Sequence, residues 1–233
     1  MVSFKELGKY GRLGNCLFQM ATTISLAIKN NDDFVFSPWE YQKQFPISST
    51  KFSSNIQIKS KYEEPFFHYK EIPYSKNLDL HGYFQSYKYF DSYRNDIIKL
   101  LTPNNLPPKK MGITSIHVRR TDYLVHKGCF TILDKKYYSE AMKNFNSFLV
   151  FSDDIEFCKR EFIGPQFKFQ HSDPVTDLAS MISCENHIIA NSSFSWWAAY
   201  LSQDSNIIAP ASWFGPKLQH NTKDLLLPTW KKI

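Results

Sequence analysis

The feature that most constrains the fold of this 233-residue chain is a regular alternation of strand-like runs and helical segments in its second half. The predicted strands are ITSIHV (113–118), FLVFS (148–152), FKFQ (167–170), HIIA (187–190) and NIIAP (206–210). The predicted helices between them cover residues 137–145, 153–162, 177–184 and 193–202. Because strands that alternate with helices pair into a parallel sheet, this half of the chain predicts a small doubly wound α/β domain.

The first half shows a weaker form of the same alternation. Strands are predicted at residues 2–7 and 33–37, with a helix over 15–30 whose apolar residues recur at helical spacing. Residues 38–80 are polar, aromatic and weakly patterned, and they predict loops with short helices. Residues 86–101 again predict a helix.

The run TPNNLPPKKMG (102–112) is the clearest linker, because its prolines and glycine interrupt regular structure. It divides the chain into a looser N-terminal α/β domain, residues 1–105, and a C-terminal Rossmann-like domain, residues 106–233. No internal repeat or low-complexity tract accompanies this division.

Composition places the chain among soluble globular proteins, with 42% hydrophobic and 21% charged residues. The net charge of +6 suits either solubility or an anionic ligand. Cysteines at 16, 129, 158 and 184 lack metal-ligand or CxxC spacing, which indicates reduced thiols in a cytoplasmic protein. The N-terminus shows no signal peptide, and no apolar run approaches the ~18 residues of a membrane span.

Polar residues follow three of the predicted strands at the point where each strand ends. They are Arg119, Arg120, Thr121 and Asp122 after the first, Asp153 and Asp154 after the second, and Asn191, Ser192 and Ser193 after HIIA. Ligands of doubly wound sheets bind beyond the carboxyl ends of the strands. Arginines hold phosphate oxygens, and hydroxyls with free N–H groups at a helix N-terminus hold the same anion. The pattern therefore predicts a nucleotide-diphosphate pocket.

Each of these residues also has a purely structural interpretation. Adjacent arginines are often surface charges, while Asp153, Asp154 and the serines can cap the helices that they precede. Trp196 and Trp197 are expected in the core rather than against a ligand. The segment GRLGN (11–15) is a weak phosphate-loop candidate, because it matches neither common glycine-rich nucleotide motif.

Five segments together resemble the α(1,2)-fucosyltransferase family. GRLGNCLFQMA (11–21) resembles its opening GGLGNQLFQ, and HVRRTDY (117–123) resembles its HxRRxDY motif. GYFQSYKYF (82–90), FSDDIEFCK (151–159) and HIIANSSFSWWAAYL (187–201) are similar to further family segments, in the same order. The resemblance implies a GT-B-type fold, with two Rossmann-like domains facing across a cleft and the N-terminal one reduced. It also implies GDP-fucose as donor, a glycan acceptor, inversion at the sugar, and no metal ion or other cofactor.

The resemblance carries roles onto a defined set of residues. Arg119 is expected to hold the β-phosphate and to meet the charge of the leaving group, while Arg120 either shares this contact or pairs with Asp122. His117 is expected at the guanine or ribose, one of Asp153 and Asp154 at the guanine edge, and the serines around the diphosphate. The full donor-binding set is Gly14, Asn15, His117, Arg119, Arg120, Asp153, Asp154, Ser192, Ser193, Phe194 and Ser195.

The general base of the reaction is the least certain role. Asp122 is the candidate nearest to Arg119 in sequence, although it can equally serve to orient that arginine. His126 is a second possibility, but a lone histidine in a loop is usually solvated. The catalytic pair predicted from the sequence is Arg119 with Asp122.

The chain departs from the family pattern at four positions, Arg12, Cys16, Tyr87 and Phe157, where the family usually has Gly, Gln, Glu and Trp. It is also shorter than typical members, and the missing length is expected in the half that handles the acceptor. Acceptor and oligomeric state therefore stay open. The alternatives are transfer with α(1,3) or α(1,6) linkage, and a non-catalytic GDP-sugar or glycan binder. A nucleic-acid binder is disfavoured because basic residues are scattered. A chain without an anchor suits a bacterial or large-virus enzyme rather than a Golgi one.

Overall fold

The computed structural model describes residues 1–126, 128–203 and 205–233. These residues form two compact units. Unit 1 contains residues 1–104 and 220–227, and unit 2 contains residues 105–219 and 228–233. The chain therefore leaves unit 1 near residue 105 and contributes a short later segment to it. Each unit is built around its own parallel sheet.

Unit 1 contains a four-stranded parallel sheet in the order β2-β1-β4-β3. Its strands are β1 (Val2–Phe4), β2 (Phe34–Phe36), β3 (Ser60–Glu63) and β4 (Leu78–His81). Its helices are α1 (Leu13–Lys29) and α2 (Arg94–Leu101). The predicted α1 is confirmed because Leu17, Met20 and Ile24, at helical spacing, are fully buried.

Unit 2 contains a six-stranded parallel sheet in the order β10-β9-β8-β5-β6-β7. Its strands are β5 (Lys110–Val118), β6 (Phe148–Ser152), β7 (Phe167–Gln170), β8 (Cys184–Ile188), β9 (Ile207–Ala209) and β10 (Lys231–Lys232). From β5, the chain first adds β6 and β7 on one side of the sheet, and then adds β8, β9 and β10 on the other side. The direction of strand addition therefore reverses between β5 and β8. The predicted parallel α/β domain is confirmed.

Five helices belong to unit 2. They are α3 (Thr121–Val125), α4 (Lys135–Met142), α5 (Ile155–Glu161), α6 (Pro174–Ile182) and α7 (Ser193–Leu201). One apolar core includes Ile116, Val150 and Ile188 from the central strands together with aromatic residues of α4. Trp196 and Trp197 of α7 are fully buried, which confirms that they belong to the core.

The sequence prediction was wrong at several elements of unit 1. Residues 38–80 contain β3 and the start of β4, whereas loops were predicted there. The strand β3 was missed because it consists of the residues SKYE, with only half-buried and exposed positions. Residues 86–101 were predicted as one helix, but two 3-10 turns precede α2. The side chain of Ser86 accepts the Lys88 N–H, which stabilises the first turn.

Boundaries in unit 2 also differ from the predictions. β5 begins at Lys110, inside the predicted linker, and Gly112 with φ +72° accompanies a shift in its pairing with β8. α6 ends at Ile182, and β8 runs from Cys184 to Ile188 rather than over 187–190. The short elements α3 and β10 were not predicted. Within the described ranges, no helix combines the length and apolar character needed to cross a membrane.

Candidate active site

Three polar segments meet along one edge of the unit 2 sheet. β5 pairs with β6 on one side and with β8 on the other, so the carboxyl ends of these strands are neighbours. The residues that follow them are 119–122, 153–154 and 191–193, as the sequence predicted. This edge includes the point where the strand order reverses, which is where ligands of doubly wound sheets bind.

Arg119 follows β5 directly and is held by two carboxylates. Its Nη2 donates to Asp122 Oδ2 over 2.6 Å, and its Nη1 lies 3.3 Å from Asp153 Oδ2. The guanidinium also lies 5.7 Å from the centre of the Tyr123 ring. The side chain is 14% exposed, so its position is fixed while part of it still reaches solvent. A cation whose position is fixed before a ligand arrives is suited to binding an anion such as a phosphate.

Asp153 connects β6 to the segment that follows β5. Its Oδ1 accepts the Arg120 N–H at 2.9 Å, and its Oδ2 accepts the backbone N–H and the hydroxyl of Thr121. Burial raises the pKa of Asp153, but the Thr121 hydroxyl and the Arg119 charge outweigh it, and the pKa lies below its ordinary value. Asp153 is therefore an ionised carboxylate that is already engaged by protein donors.

Arg120 and Asp154 form a second pair at the same edge. Arg120 Nε lies 3.4 Å from Asp154 Oδ2, and the Arg120 guanidinium carbon lies 3.7 Å from the centre of the Phe157 ring. Asp154 also caps α5 by accepting the Phe157 N–H at 3.2 Å, which is a purely structural role. Phe157 therefore supplies the aromatic face on which Arg120 stacks, despite the family's usual Trp at this position.

His117, near the end of β5, faces the first turn of α7. Its Nδ1 lies 2.9 Å from the hydroxyl of Ser195, and its ring lies 5.5 Å from the ring of Phe194. Burial lowers the pKa of His117 to about 3, with a further contribution from the Arg119 charge. The imidazole is thus neutral at physiological pH. Ser195 is fully buried, so its hydroxyl points inward to His117.

The polar residues after β8 have two different roles, because Asn191 bonds to backbone groups whereas the serines lie at the N-terminus of α7. Asn191 is buried, and its amide donates to the carbonyl oxygens of Thr131 and Trp213 at 3.0 and 2.7 Å. Ser192 is the N-cap residue of α7, and its hydroxyl accepts the Phe194 N–H at 3.4 Å. Ser193 is half-buried. Its hydroxyl is therefore better placed for a ligand than that of Ser195.

Gly14 and Asn15 belong to unit 1, where they lie in the first turn of α1. The residue of this segment in the left-handed backbone region is Gly11, which has φ +80°. A Cβ at Gly11 would lie 2.6 Å from Asn15, so Asn15 packs directly over that glycine. Asn15 Oδ1 accepts the Gln85 amide at 2.8 Å.

The structure clarifies the candidates for the general base. Asp122 lies in the first turn of α3 and bonds to Arg119, which supports the orienting role that the sequence left open. His126 is the exposed C-cap residue of the same helix. Among the residues that the structure describes, no group of three or more His, Cys, Asp or Glu is placed to hold a metal ion.

The donor-binding set predicted from the sequence omitted Thr121 and Tyr123, although Thr121 was among the polar residues that follow the first predicted strand of the site. Thr121 engages Asp153, and the Tyr123 hydroxyl donates to the Asn191 carbonyl over 2.6 Å. Tyr123 also stacks on Phe130, with ring centres 4.2 Å apart. Both lie within HVRRTDY, so a signal was present, but their partners are distant in sequence.

Comparison with known proteins identifies what this chain resembles. The family model described as glycosyl transferase family 11 matches residues 8–233. An alpha-1,2-colitosyltransferase of Escherichia coli is 32% identical over 189 residues, which cover 67% of this chain and 63% of that protein. The chain thus spans less than two thirds of the length of this relative.

For two further relatives, the match extends over a larger share of the relative's length. The O-antigen biosynthesis glycosyltransferase WbnK of Escherichia coli is 26% identical over 222 residues, covering 80% of this chain and 72% of the relative. A galactoside 2-alpha-L-fucosyltransferase of Bos taurus is 26% identical over 275 residues, covering 96% of this chain and 72% of the relative.

Proposed function

The chain belongs to glycosyl transferase family 11, and on this basis we propose that it transfers L-fucose from GDP-β-L-fucose to a hydroxyl of a glycan, with inversion. The most favoured acceptor atom is O2 of a terminal galactose, since one relative is named a galactoside 2-alpha-L-fucosyltransferase. A GT-B-type architecture, expected from the resemblance, is part of this proposal.

The observation that carries the proposal is the position of Arg119. It follows the central strand at the edge where the strand order reverses, and Asp122 and Asp153 hold its guanidinium. As the bond between the sugar and the diphosphate breaks, negative charge accumulates on the β-phosphate. A positioned cation stabilises that charge more in the transition state than in the ground state, which lowers the barrier.

Donor binding must displace part of the existing ion-pair network. The guanidinium groups of Arg119 and Arg120 are paired with the carboxylates of Asp122, Asp153 and Asp154. Asp153 is engaged by three donors of residues 120 and 121, whereas Asp122 is the more exposed partner. We therefore propose that Asp122 orients the Arg119 guanidinium before the donor binds. When the donor binds, a phosphate oxygen replaces Asp122 as the partner of Arg119 Nη2.

The remaining donor contacts follow from the same edge. The N-terminus of α7, with Ser192 as its cap and Ser193 half-buried, is suited to the diphosphate because its N–H groups and dipole favour an anion. Asp154 is the better candidate for the guanine edge, since Asp153 is engaged by Arg120 and Thr121. Phe194 and Ser195 act through His117. Gly14 and Asn15 of unit 1 are kept in the proposed donor set only because the family resemblance implies them. Positive charge from Arg119 is proposed to take the place of a metal ion.

The donor sugar has one specific alternative. A relative at 32% identity is named an alpha-1,2-colitosyltransferase, and colitose is a deoxy form of L-fucose. The same edge could therefore serve a GDP-activated deoxy sugar, because the diphosphate and guanine contacts proposed above do not involve the sugar ring.

The test is a transfer assay with purified protein, GDP-fucose or GDP-colitose, and lactose, N-acetyllactosamine or galactose as acceptor. Formation of an α(1,2)-linked product, identified by NMR, supports the proposal, and activity in EDTA supports metal independence. An α(1,3) or α(1,6) product would overturn the linkage. Absence of transfer together with specific GDP binding would favour the non-catalytic alternative, and preference for GDP-colitose would replace the donor.

A further inference from the structure

Glu64 lies directly after β3, at the carboxyl edge of the unit 1 sheet. Its own N–H donates to the carbonyl oxygen of His81 over 2.8 Å, which continues the pairing of β3 with β4. Its carboxylate turns toward the segment after β4, where Oε2 accepts the N–H groups of Tyr83 and Phe84 at 2.8 and 2.9 Å. The side chain therefore fixes two consecutive peptide groups.

These two hydrogen bonds hold an unusual backbone conformation. Gly82 has φ +154° and Phe84 has φ +52°, although Phe84 is a bulky residue that rarely adopts the left-handed region. A Cβ at Gly82 would lie 2.4 Å from the Cβ of Glu64, so the two residues are in direct contact. Strained backbone persists only where its surroundings hold it, and Glu64 supplies part of that restraint.

The segment 82–86 is also connected to α1 and to Tyr10, which precedes that helix. The Tyr10 hydroxyl bonds to both the N–H and the carbonyl of Gly82, and the Gln19 amide donates to the same carbonyl over 3.2 Å. The Gln85 amide then donates to Asn15 Oδ1 over 2.8 Å. A displacement of this segment would thus be transmitted to Asn15, a member of the proposed donor set.

The environment of Glu64 favours the neutral carboxyl group. Its Oε1 is buried without a hydrogen-bond partner, and in the described part of the chain no Lys, Arg or His forms an ion pair with it. The ionisable groups facing it are the phenols of Tyr10, Tyr62 and Tyr89, whose pKa values are raised by burial. Burial raises the pKa of Glu64 to about 7, despite the two backbone hydrogen bonds.

The direction of the coupling follows from this shift. We call segment 82–86 closed when its N–H groups bond to Glu64, and open when these bonds are broken and Glu64 is exposed. An exposed glutamate has a pKa near 4.5, so Glu64 binds its proton more tightly when the segment is closed. The contribution of Glu64 to closure is complete below pH 4.5 and declines as the pH rises through about 7. Ionisation therefore favours opening of segment 82–86.

We propose that neutral Glu64 is a positioning residue that keeps segment 82–86, and through Gln85 the side chain of Asn15, in place for donor binding. This role rests on the proposed function, because it assigns Asn15 to the donor. Raising the pH ionises Glu64, loosens the segment and weakens donor affinity.

The decisive measurement is the KM for GDP-fucose between pH 6 and 8.5, with kcat recorded in parallel. In the wild-type protein KM is expected to rise several-fold with an apparent midpoint near 7. The two pKa values of Glu64 limit the rise over this pH range to about tenfold. Glu64→Gln keeps a carbonyl acceptor for both N–H groups and stays neutral, so its KM should be nearly constant. Glu64→Asp, which stays ionisable, should restore the pH dependence.

Hydrogen exchange supplies a readout that does not depend on activity. After correction for intrinsic rates, protection of residues 82–86 should fall through pH 7 in the wild type and stay level in Glu64→Gln. His81 is the matched control, because it ends β4 directly before the segment and its side chain contacts Glu6 rather than Glu64. His81→Asn should keep the wild-type dependence of both KM and protection.

Each opposing result has a distinct meaning. A Glu64→Gln protein whose KM still rises like that of the wild type would overturn the role of Glu64. A loss of kcat beyond about 1000-fold in Glu64→Gln with unchanged protection would also overturn it, since that is the signature of a proton acceptor in the reaction. If the wild type transfers no sugar at any pH, the proposed function fails, and level exchange protection would then separately overturn the coupling between Glu64 and the segment.

Discussion

Arg119 and Asp122 are joined by a 2.6 Å contact between Nη2 and Oδ2, which connects the end of β5 to the first turn of α3. Because Asp153 lies 3.3 Å from the other terminal nitrogen, carboxylates from two elements fix the plane of the guanidinium. A planar fork held in this way can exchange one carboxylate for a phosphate without moving its own atoms. The contact is therefore part of preorganisation rather than of stability alone.

Replacement of Arg119 by alanine should lower kcat/KM by about 100- to 1000-fold, because a positioned charge at the leaving group is lost. Arg119→Lys should lie between alanine and wild type, since lysine keeps the charge but not the planar fork. Steady-state kinetics with GDP-fucose measures both effects.

The matched control is Arg160→Ala, which removes an exposed arginine of α5. It should leave kcat/KM within about twofold of wild type. Because Arg119→Ala leaves Asp122 and Asp153 without their shared cation, Tm is measured for each variant. Near-normal turnover by a folded Arg119→Ala protein would contradict the role assigned to the arginine.

Asp122→Asn separates orientation from proton transfer. Asparagine keeps an acceptor oxygen toward Arg119, so an orienting role predicts a loss in kcat of about tenfold or less, whereas loss of a general base costs about 100- to 10,000-fold. We expect the smaller loss. Asp91→Asn is the control, because Asp91 also pairs with an arginine three residues away, Arg94. This substitution should leave transfer unchanged.

The sequence predicted elements whose own residues carry the signal. α1 shows helical spacing of buried residues, and β5 through Val118 is rich in β-branched residues, so both were found. The strand β3 was not, because Ser60, Lys61 and Glu63 alternate with Tyr62 in a polar run without an apolar face. Its pairing with β4 becomes visible only in the folded chain.

The candidate site could be predicted only as far as its residues lie in recognisable motifs, since contacts between distant parts of the sequence were not visible. The motifs located Arg119 and Asp153 at neighbouring strand ends, since that requires only the order of strands. They did not indicate that Asp153 accepts three hydrogen bonds from residues more than thirty positions earlier. Glu64 was missed for the same reason, because its partners Tyr83 and Phe84 belong to another strand end.

Gly82→Ala should be strongly destabilising, because the new Cβ would meet Glu64 at 2.4 Å in addition to the strain of φ +154°. Gly112→Ala is the matched control, since Gly112 also has a positive φ but open space around its Cβ position. Urea unfolding should show a loss of about 1 kcal/mol for Gly112→Ala and at least about 2 kcal/mol more for Gly82→Ala. Equal losses would show that Glu64 moves aside without cost.

Buried imidazoles should make the protein less stable in acid. The pKa of His187 is lowered to about 3 by burial, and its Nδ1 lies 2.7 Å from the Ser115 hydroxyl. An unfolded histidine takes up a proton below about pH 6.5, while the folded one does not. The stabilising contribution is therefore complete above pH 6.5 and is lost as the pH falls toward 3, by about 1.4 kcal/mol per pH unit for each such histidine.

His187→Asn isolates this contribution from groups such as Glu64, whose raised pKa acts in the opposite direction. The free energy of unfolding, measured in urea between pH 5 and 7, should fall less steeply for His187→Asn than for wild type, by about 1.4 kcal/mol per pH unit below 6.5. His126→Asn, at the exposed end of α3, should keep the wild-type slope. If His187→Asn and wild type showed the same slope, the imidazole would have to be protonated inside the folded protein, which its lack of a partner at Nε2 opposes.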